Sequence, residues 1–312
     1  MLTRTLTAAA AVAALGISSA ASAQLLASDS YVIGSDPAAG EYQVLPLVSQ
    51  PGTLESLGFA DGNYGGGTGT VQFAASDNGL SYAPLGIDGS LSGKVTYSAA
   101  PVDPFRRANA RNLVSGTPGT SPFYVSHLVN RGGIAPTGDA DSYALTGFGN
   151  FVQPTIGANS GFLDGVFVGF AQKSSTDSGS LVIRSRTTTG QTAEDTILID
   201  GDLVDTANLT YNIVYKATVN ADSVTYWVNA TDFTDDASLT ATALVTGTIN
   251  GFQFGDANLD RLNYDARAWN GNVFFDEPMI ALAPSDLIVP EPTTAAVLAL
   301  GGIGAMLRRR RA

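Results

Sequence analysis

Between residues 24 and 288 apolar side chains alternate with polar ones far more often than they recur every third or fourth position, which is the period of a strand. The clearest stretch is LTYNIVYKATVNADSVTYWVNATDF. Tyr211, Ile213, Tyr215, Ala217 and Val219 share one face, Asn220-Ala221-Asp222 turns the chain, and Val224, Tyr226 and Val228 return. This predicts an antiparallel hairpin. The same alternation predicts strands at 70–75 (TVQFAA), 94–99 (KVTYSA), 123–130 (FYVSHLVN), 165–173 (GVFVGFAQK) and 180–187 (SLVIRSRT). Three more follow at 195–200 (DTILID), 247–255 (GTINGFQFG) and 272–282 (NVFFDEPMIAL). Many short strands separated by Gly, Ser, Thr and Asn predict an all-β fold: two packed antiparallel sheets, a sandwich or jelly roll, as one domain over 24–282.

Two stretches break the pattern. Ala100 to Phe123 holds four prolines and three arginines, Arg106, Arg107 and Arg111. A long structureless loop inside a domain is unfavourable, so the stretch is either a joint between two layers or a crossover with a short helix over Phe105 to Val114. The helical crossover is the expected solution. After Leu282 the run APSDLIVPEP reads as an extended linker over 283–289, and folding is expected to end there.

Composition then narrows the chemistry. The chain has no cysteine, so stability has to come from burial. Setting aside Arg4, Arg308 to Arg311 and Glu291 leaves 11 basic residues against 27 acidic ones, a net charge of −16 on the body. Such a body repels phosphate backbones, which argues against nucleic acid and favours divalent cations. Asp256, Asn258 and Asp260 alternate as the first ligands of a calcium loop do, although Arg261 stands where a turn glycine would and Arg267 where the twelfth ligand would. Other acidic loops hold Asp139 and Asp141, and Asp200, Asp202 and Asp205.

The sequence offers little catalytic machinery. His127 is the one histidine, and on a regular strand it shares a face with Phe123, Val125 and Val129, the position of a core residue. No G-x-S-x-G elbow occurs, and one histidine without cysteine cannot make a usual zinc site. The body has four glutamates, Glu41, Glu55, Glu194 and Glu277. Asp276 and Glu277 are neighbours on a predicted strand and should point to opposite faces, which removes them as a glycosidase pair. Of the two tryptophans, Trp227 suits the core and Trp269, in DARAWNGN, is the candidate to stack on a sugar ring.

The two ends are of another kind. MLTRTLTAAAAVAALGISSAASAQ has Arg4, an apolar run from Leu6 to Ile17 and the A-x-A site Ala21-Ser22-Ala23, which predicts a signal peptide over 1–23 cut by signal peptidase before Gln24. At the other end stand Pro290-Glu291-Pro292, an apolar run from Ala295 to Leu307, and Arg308, Arg309, Arg310 and Arg311. This ordered combination resembles the PEP-CTERM sorting signal of Gram-negative bacteria, over 290–312. The resemblance implies export, transient retention in the inner membrane, and processing near Pro-Glu-Pro by an exosortase. Cargo of that family often belongs to the exopolysaccharide or biofilm matrix. Thr293 to Leu307 forms a helix of about 22 Å against a hydrocarbon core of about 30 Å, short for a permanent anchor. The arginines stay cytoplasmic and leave the body outside.

The middle, through FYVSHLVN, DGVFVGF, the Tyr211 hairpin and NVFFDEPMIA, resembles the laminin-G-like and concanavalin-like jelly rolls. Together these readings give a cell-surface or matrix β-sandwich that associates with polysaccharide without cleaving it. A jelly-roll polysaccharide-active enzyme and a purely structural surface protein are the alternatives.

Overall fold

In a computed structural model, alternation is realised among the described residues as sixteen strands, every observed pairing antiparallel. The structure describes residues 25–29, 56–57, 65–66, 73–76, 78–89, 94–98, 106–112, 122–132, 142–151, 163–172, 179–187, 192–201, 203–204, 210–252, 254, 261–267, 269 and 271–288. In chain order the first eight strands are β1 (Leu25–Asp29), β2 (Ser56–Leu57), β3 (Gly65–Gly66), β4 (Phe73–Ser76), β5 (Lys94–Ser98), β6 (Arg106–Asn112), β7 (Phe123–Asn130) and β8 (Tyr143–Phe151). The rest are β9 (Leu163–Ala171), β10 (Ser180–Thr187), β11 (Thr192–Ile199), β12 (Tyr211–Thr218), β13 (Ser223–Val228), β14 (Val245–Asn250), β15 (Arg261–Arg267) and β16 (Asn272–Ala281). A short helix, α1 (Asp236–Thr242), lies between β13 and β14.

Nine strands make the larger sheet, in the order β14-β13-β12-β7-β16-β1-β2, with β5 on β16 and β4 outside it. Seven make the smaller, in the order β11-β10-β9-β8-β15-β6-β3. The predicted hairpin is β12 and β13, in register from Ile213 opposite Val228 to Thr218 opposite Ser223. Asp222 closes its turn at φ 46°, in the left-handed region that Asp and Asn tolerate better than most residues.

Period-two patterning sets which face is dry. On β7, Phe123, Val125 and Val129 join Ile213 and Tyr215 of β12 in the main core, where they meet Phe148, Val166, Val168, Phe170, Leu181 and Ile183 of the smaller sheet. The other face of the larger sheet is also covered: Tyr124, Leu128, Val214, Trp227 and Met279 pack with Leu85, Phe233, Leu239 of α1 and Leu287. Full burial of each such aliphatic or aromatic side chain contributes about 1.5–3 kcal/mol, which is how a chain without disulfides holds its shape.

Three sequence expectations change. The segment expected as a helix over Phe105 to Val114 contains strand β6, paired with β15 from Arg106 opposite Arg267 to Asn112 opposite Arg261. Ladder bonds over seven residue pairs outweigh the helical preference of its Ala and Arg. The region expected as a linker after Leu282 forms a 3-10 turn over Pro284–Leu287 with both end residues buried, so the folded body runs past Leu282. Helix α1 was not expected; Asp235 caps it by accepting the Ser238 N–H at 2.8 Å, and Leu239 anchors it.

Candidate functional site

Buried ionisable groups mark where chemistry could be placed, and the first lie on β16. Its leading half pairs with β5, through Asn272 to Phe275, and its trailing half with β1, through Met279 to Ala281. β7 runs along the other edge, with its register broken between Asp276 and Met279. The changeover is a bulge in which Glu277 takes φ 44°. Regular alternation along β16 is broken here, and Asp276 and Glu277 are both buried at the bulge. Asp276 Oδ2 accepts the Leu80 N–H at 2.6 Å and Oδ1 accepts the Glu277 N–H at 2.9 Å. Burial pushes its carboxyl well above the usual carboxylate range and the charge of Glu277 adds to this, while the two N–H donors and Lys94 pull the other way. Burial also raises the Tyr264 hydroxyl, with Asp29 and Asp276 contributing. The bulge acid stitches the 78–89 segment to β16.

A second group sits on the outer face of the larger sheet. Asp236, in the first turn of α1, accepts the Tyr124 hydroxyl at 2.7 Å and the Lys216 ammonium at 2.6 Å. The same ammonium lies 5.5 Å from the Tyr124 ring centre. Burial and the bond to Asp236 push the Tyr124 hydroxyl up to about 12. This group clamps α1 onto β7 and β12.

A third group crosses the outer face of the smaller sheet. Register aligns Asn263, Gly147, Phe167, Arg184 and Asp195 across β15, β8, β9, β10 and β11. Arg184 forms a two-pronged pair with Asp195, Nη2 to Oδ2 at 2.7 Å, and its guanidinium stands 4.4 Å from the Tyr143 ring centre. Asn263 Nδ2 donates to the Arg261 carbonyl at 3.1 Å. An amide, a guanidinium, a carboxylate and aromatic faces are the groups that handle sugar hydroxyls. Tyr143, Phe167, Arg184 and Asn263 are nonetheless buried in the chain.

The predicted residues fall as follows. His127 is in the core, 5.6 Å from the Phe148 ring and 6.3 Å from that of Tyr215, and burial lowers its pKa to about 3. A neutral imidazole with no hydrogen bond on Nε2 is packing material. Trp269 is not a surface platform: it is 1% exposed and packs beside Phe170, which leaves no ring face open to stack on a sugar. Asp265 to Arg267 end β15, and Trp269, two residues further on, belongs to the main core. Trp227 is buried on the α1 side, its Nε1 donating to Thr240 at 2.9 Å. Asp256, Asn258 and Asp260, Ala21, Ala23 and Gln24, and Pro290, Glu291, Pro292 and Arg308 to Arg311 lie outside the described residues. Among the described residues no three His, Asp or Glu side chains converge as around a metal ion, and no helix is long and apolar enough to cross a membrane.

Sequence reasoning missed Asp236, although Asp235 followed by Asp-Ala-Ser-Leu-Thr-Ala-Thr is a cap before helix-compatible residues. It also missed Asn263 and Arg184 as a row, because only the strand registers bring them together.

The geometry defines a two-sheet antiparallel β-sandwich with an added helical layer on one face. No protein-family model matches the sequence, and no curated protein matches it. Solved structures with a similar arrangement include the globular domain of T. cruzi calreticulin, at a TM-score of 0.40 and 10% identity over 75% of this chain and 86% of that one. A legume lectin-like domain from Entamoeba histolytica matches at a TM-score of 0.37 and 6% identity, over 67% of this chain and 89% of that one. The receptor binding domain of botulinum neurotoxin mosaic serotype C/D matches at 0.43 and 10% identity, over 80% of this chain and half, 50%, of that one. With TM-scores below 0.5, no ligand or activity passes from these proteins to this chain.

Proposed function

We propose that this chain is an exported, non-catalytic β-sandwich of the lectin-like jelly-roll kind that associates with polysaccharide at the cell surface or in the extracellular matrix. Signal peptidase removes residues 1–23, the tail holds the protein briefly in the inner membrane, and an exosortase processes it near Pro290-Glu291-Pro292. The observation that carries this reading is the order of parts in one chain: an A-x-A leader, a disulfide-free antiparallel sandwich, and a Pro-Glu-Pro, apolar, arginine tail. The non-catalytic part is supported by how three of the described carboxylates are used. Asp276 holds backbone N–H groups, Asp195 holds Arg184, and Asp236 holds Tyr124 and Lys216.

The full chain, expressed in a Gram-negative host with an exosortase, is expected to be shortened and to leave the membrane. Replacing Pro290, Glu291 and Pro292 by Ala should leave it full-length and membrane-bound; identical maturation of both forms rules out recognition of that motif. The released protein should bind extracted surface polysaccharide saturably without freeing reducing ends. Release of reducing ends overturns the non-catalytic reading, and absence of binding leaves a purely structural protein. Repeating the titration with a calcium chelator tests Asp256, Asn258 and Asp260 as ligands: binding that survives chelation removes calcium from the site.

A further inference from the structure

The larger sheet ends, among the described residues, on β14. An end strand directs every second N–H and C=O away from its neighbour, and soluble proteins usually blunt such an edge with Lys, Pro or a bulge. This edge has none of these. Ala237 to Gly255 contains no charged residue and no proline, in a chain of net charge −12. β14 pairs with β13 without a register shift from Ser223 opposite Asn250 to Val228 opposite Val245. Its side chains alternate between half-buried Val245, Gly247 and Ile249 and exposed Thr246, Thr248 and Asn250. Leu244, just before it, is 65% exposed.

We propose that β14 pairs antiparallel with β14 of a second copy of this chain, about a two-fold axis through Gly247, joining two larger sheets into one. A two-fold edge contact must present the same strand to itself, and residues opposite each other must lie on the same face. The strand meets both conditions. Read outward from Gly247 in either direction it is Thr and then a β-branched aliphatic residue, Thr246 and Val245 one way and Thr248 and Ile249 the other. With Gly247 opposite Gly247, each Thr246 faces Thr248 of the second copy, and each Val245 faces Ile249. The Thr pairs continue a ladder that exists already, since the hydroxyls of Thr225 and Thr248 are 3.1 Å apart across β13 and β14. Val245 and Ile249 already pack against the main core, so the joint extends that core's rim.

Glycine at the axis has its own reason. A Cβ there would come within 2.6 Å of the Tyr226 hydroxyl, so the phenol lies across the strand where the two copies meet. Charge selects the same place: two strongly acidic bodies repel each other, least where they meet through an uncharged strip.

The test is the mass of the full, purified chain by light scattering at micromolar concentration, with three sequences compared. Unaltered protein should have the mass of two chains. Thr246→Lys with Thr248→Lys sets lysine opposite lysine twice and should reduce the mass to one chain. Thr246→Lys with Thr248→Glu sets lysine opposite glutamate twice and should restore two chains, with dissociation at high salt. Both altered positions are exposed, and far-ultraviolet circular dichroism checks that the fold is kept. An unaltered chain that is a monomer overturns the proposal. So does a dimer indifferent to the lysine pair, or a lysine and glutamate variant that stays monomeric.

Discussion

His127 shows what one side chain does when its polar atom is sealed in. Burial holds its pKa at about 3, against 6.5 in water, so the folded protein keeps the imidazole neutral across the range where an unfolded chain would protonate it. The folded pKa is depressed, so the unfolded state binds the extra proton and stability falls as pH falls. The loss begins near pH 6.5, ends near pH 3, and has a slope of about 1.4 kcal/mol per pH unit. His127→Leu, which keeps a side chain of similar volume, is expected to lack this component. Urea unfolding of both proteins at a series of pH values measures the difference; parallel curves would mean that His127 is not the proton acceptor. Asp276 acts with the opposite sign, because its folded pKa is raised and its contribution is lost as pH rises above the carboxylate range. The two groups narrow the zone of highest stability from either side.

At the scale of elements, the close approach of β8 and β9 depends on glycine. Gly169 has φ 145°, a conformation that L-residues rarely adopt, and a Cβ there would lie 2.4 Å from the Ala144 carbonyl oxygen. Gly169→Ala is expected to cost at least about 1–3 kcal/mol from backbone strain alone, read from the midpoint of denaturant unfolding. Most strands were legible because one periodicity is hard to mistake: FYVSHLVN is β7 to the residue, and SLVIRSRT is β10. β15 was not, since RLNYDAR buries Asn263 and Asp265 as well as Leu262 and Tyr264, so no polar face remains to see. β8 was hidden by Gly147 and Gly149, which leave gaps in its alternation of side chains. The bulge at Asp276 was invisible because it follows from a change of partner strand, which no local pattern announces. Trp269 was misplaced for a similar reason: its surroundings are small and polar in sequence, while its contact, Phe170, is far along the chain.

For the whole molecule, the position of the last buried residue among those described matters more than the position of the last described strand. Leu287 is fully buried in the cluster that holds Leu239 and Trp227, so the described core reaches to three residues before Pro290. Processing at Pro-Glu-Pro would leave the body intact. A chain ended after Leu282 should be less stable than one ended after Ile288 by about 1.5–3 kcal/mol, the value of one fully buried leucine. Equal thermal midpoints for the two would show that the turn merely rests on the surface.

β7 has consequences beyond architecture. It is bonded along both edges, by β12 and β16, and both of its faces are dry. No fraying end, loop opening or detachment of α1 can wet its central amides; only loss of the entire fold can. Deuterium uptake at Val125 to Leu128 is thus an internal gauge of global free energy, readable without any denaturant.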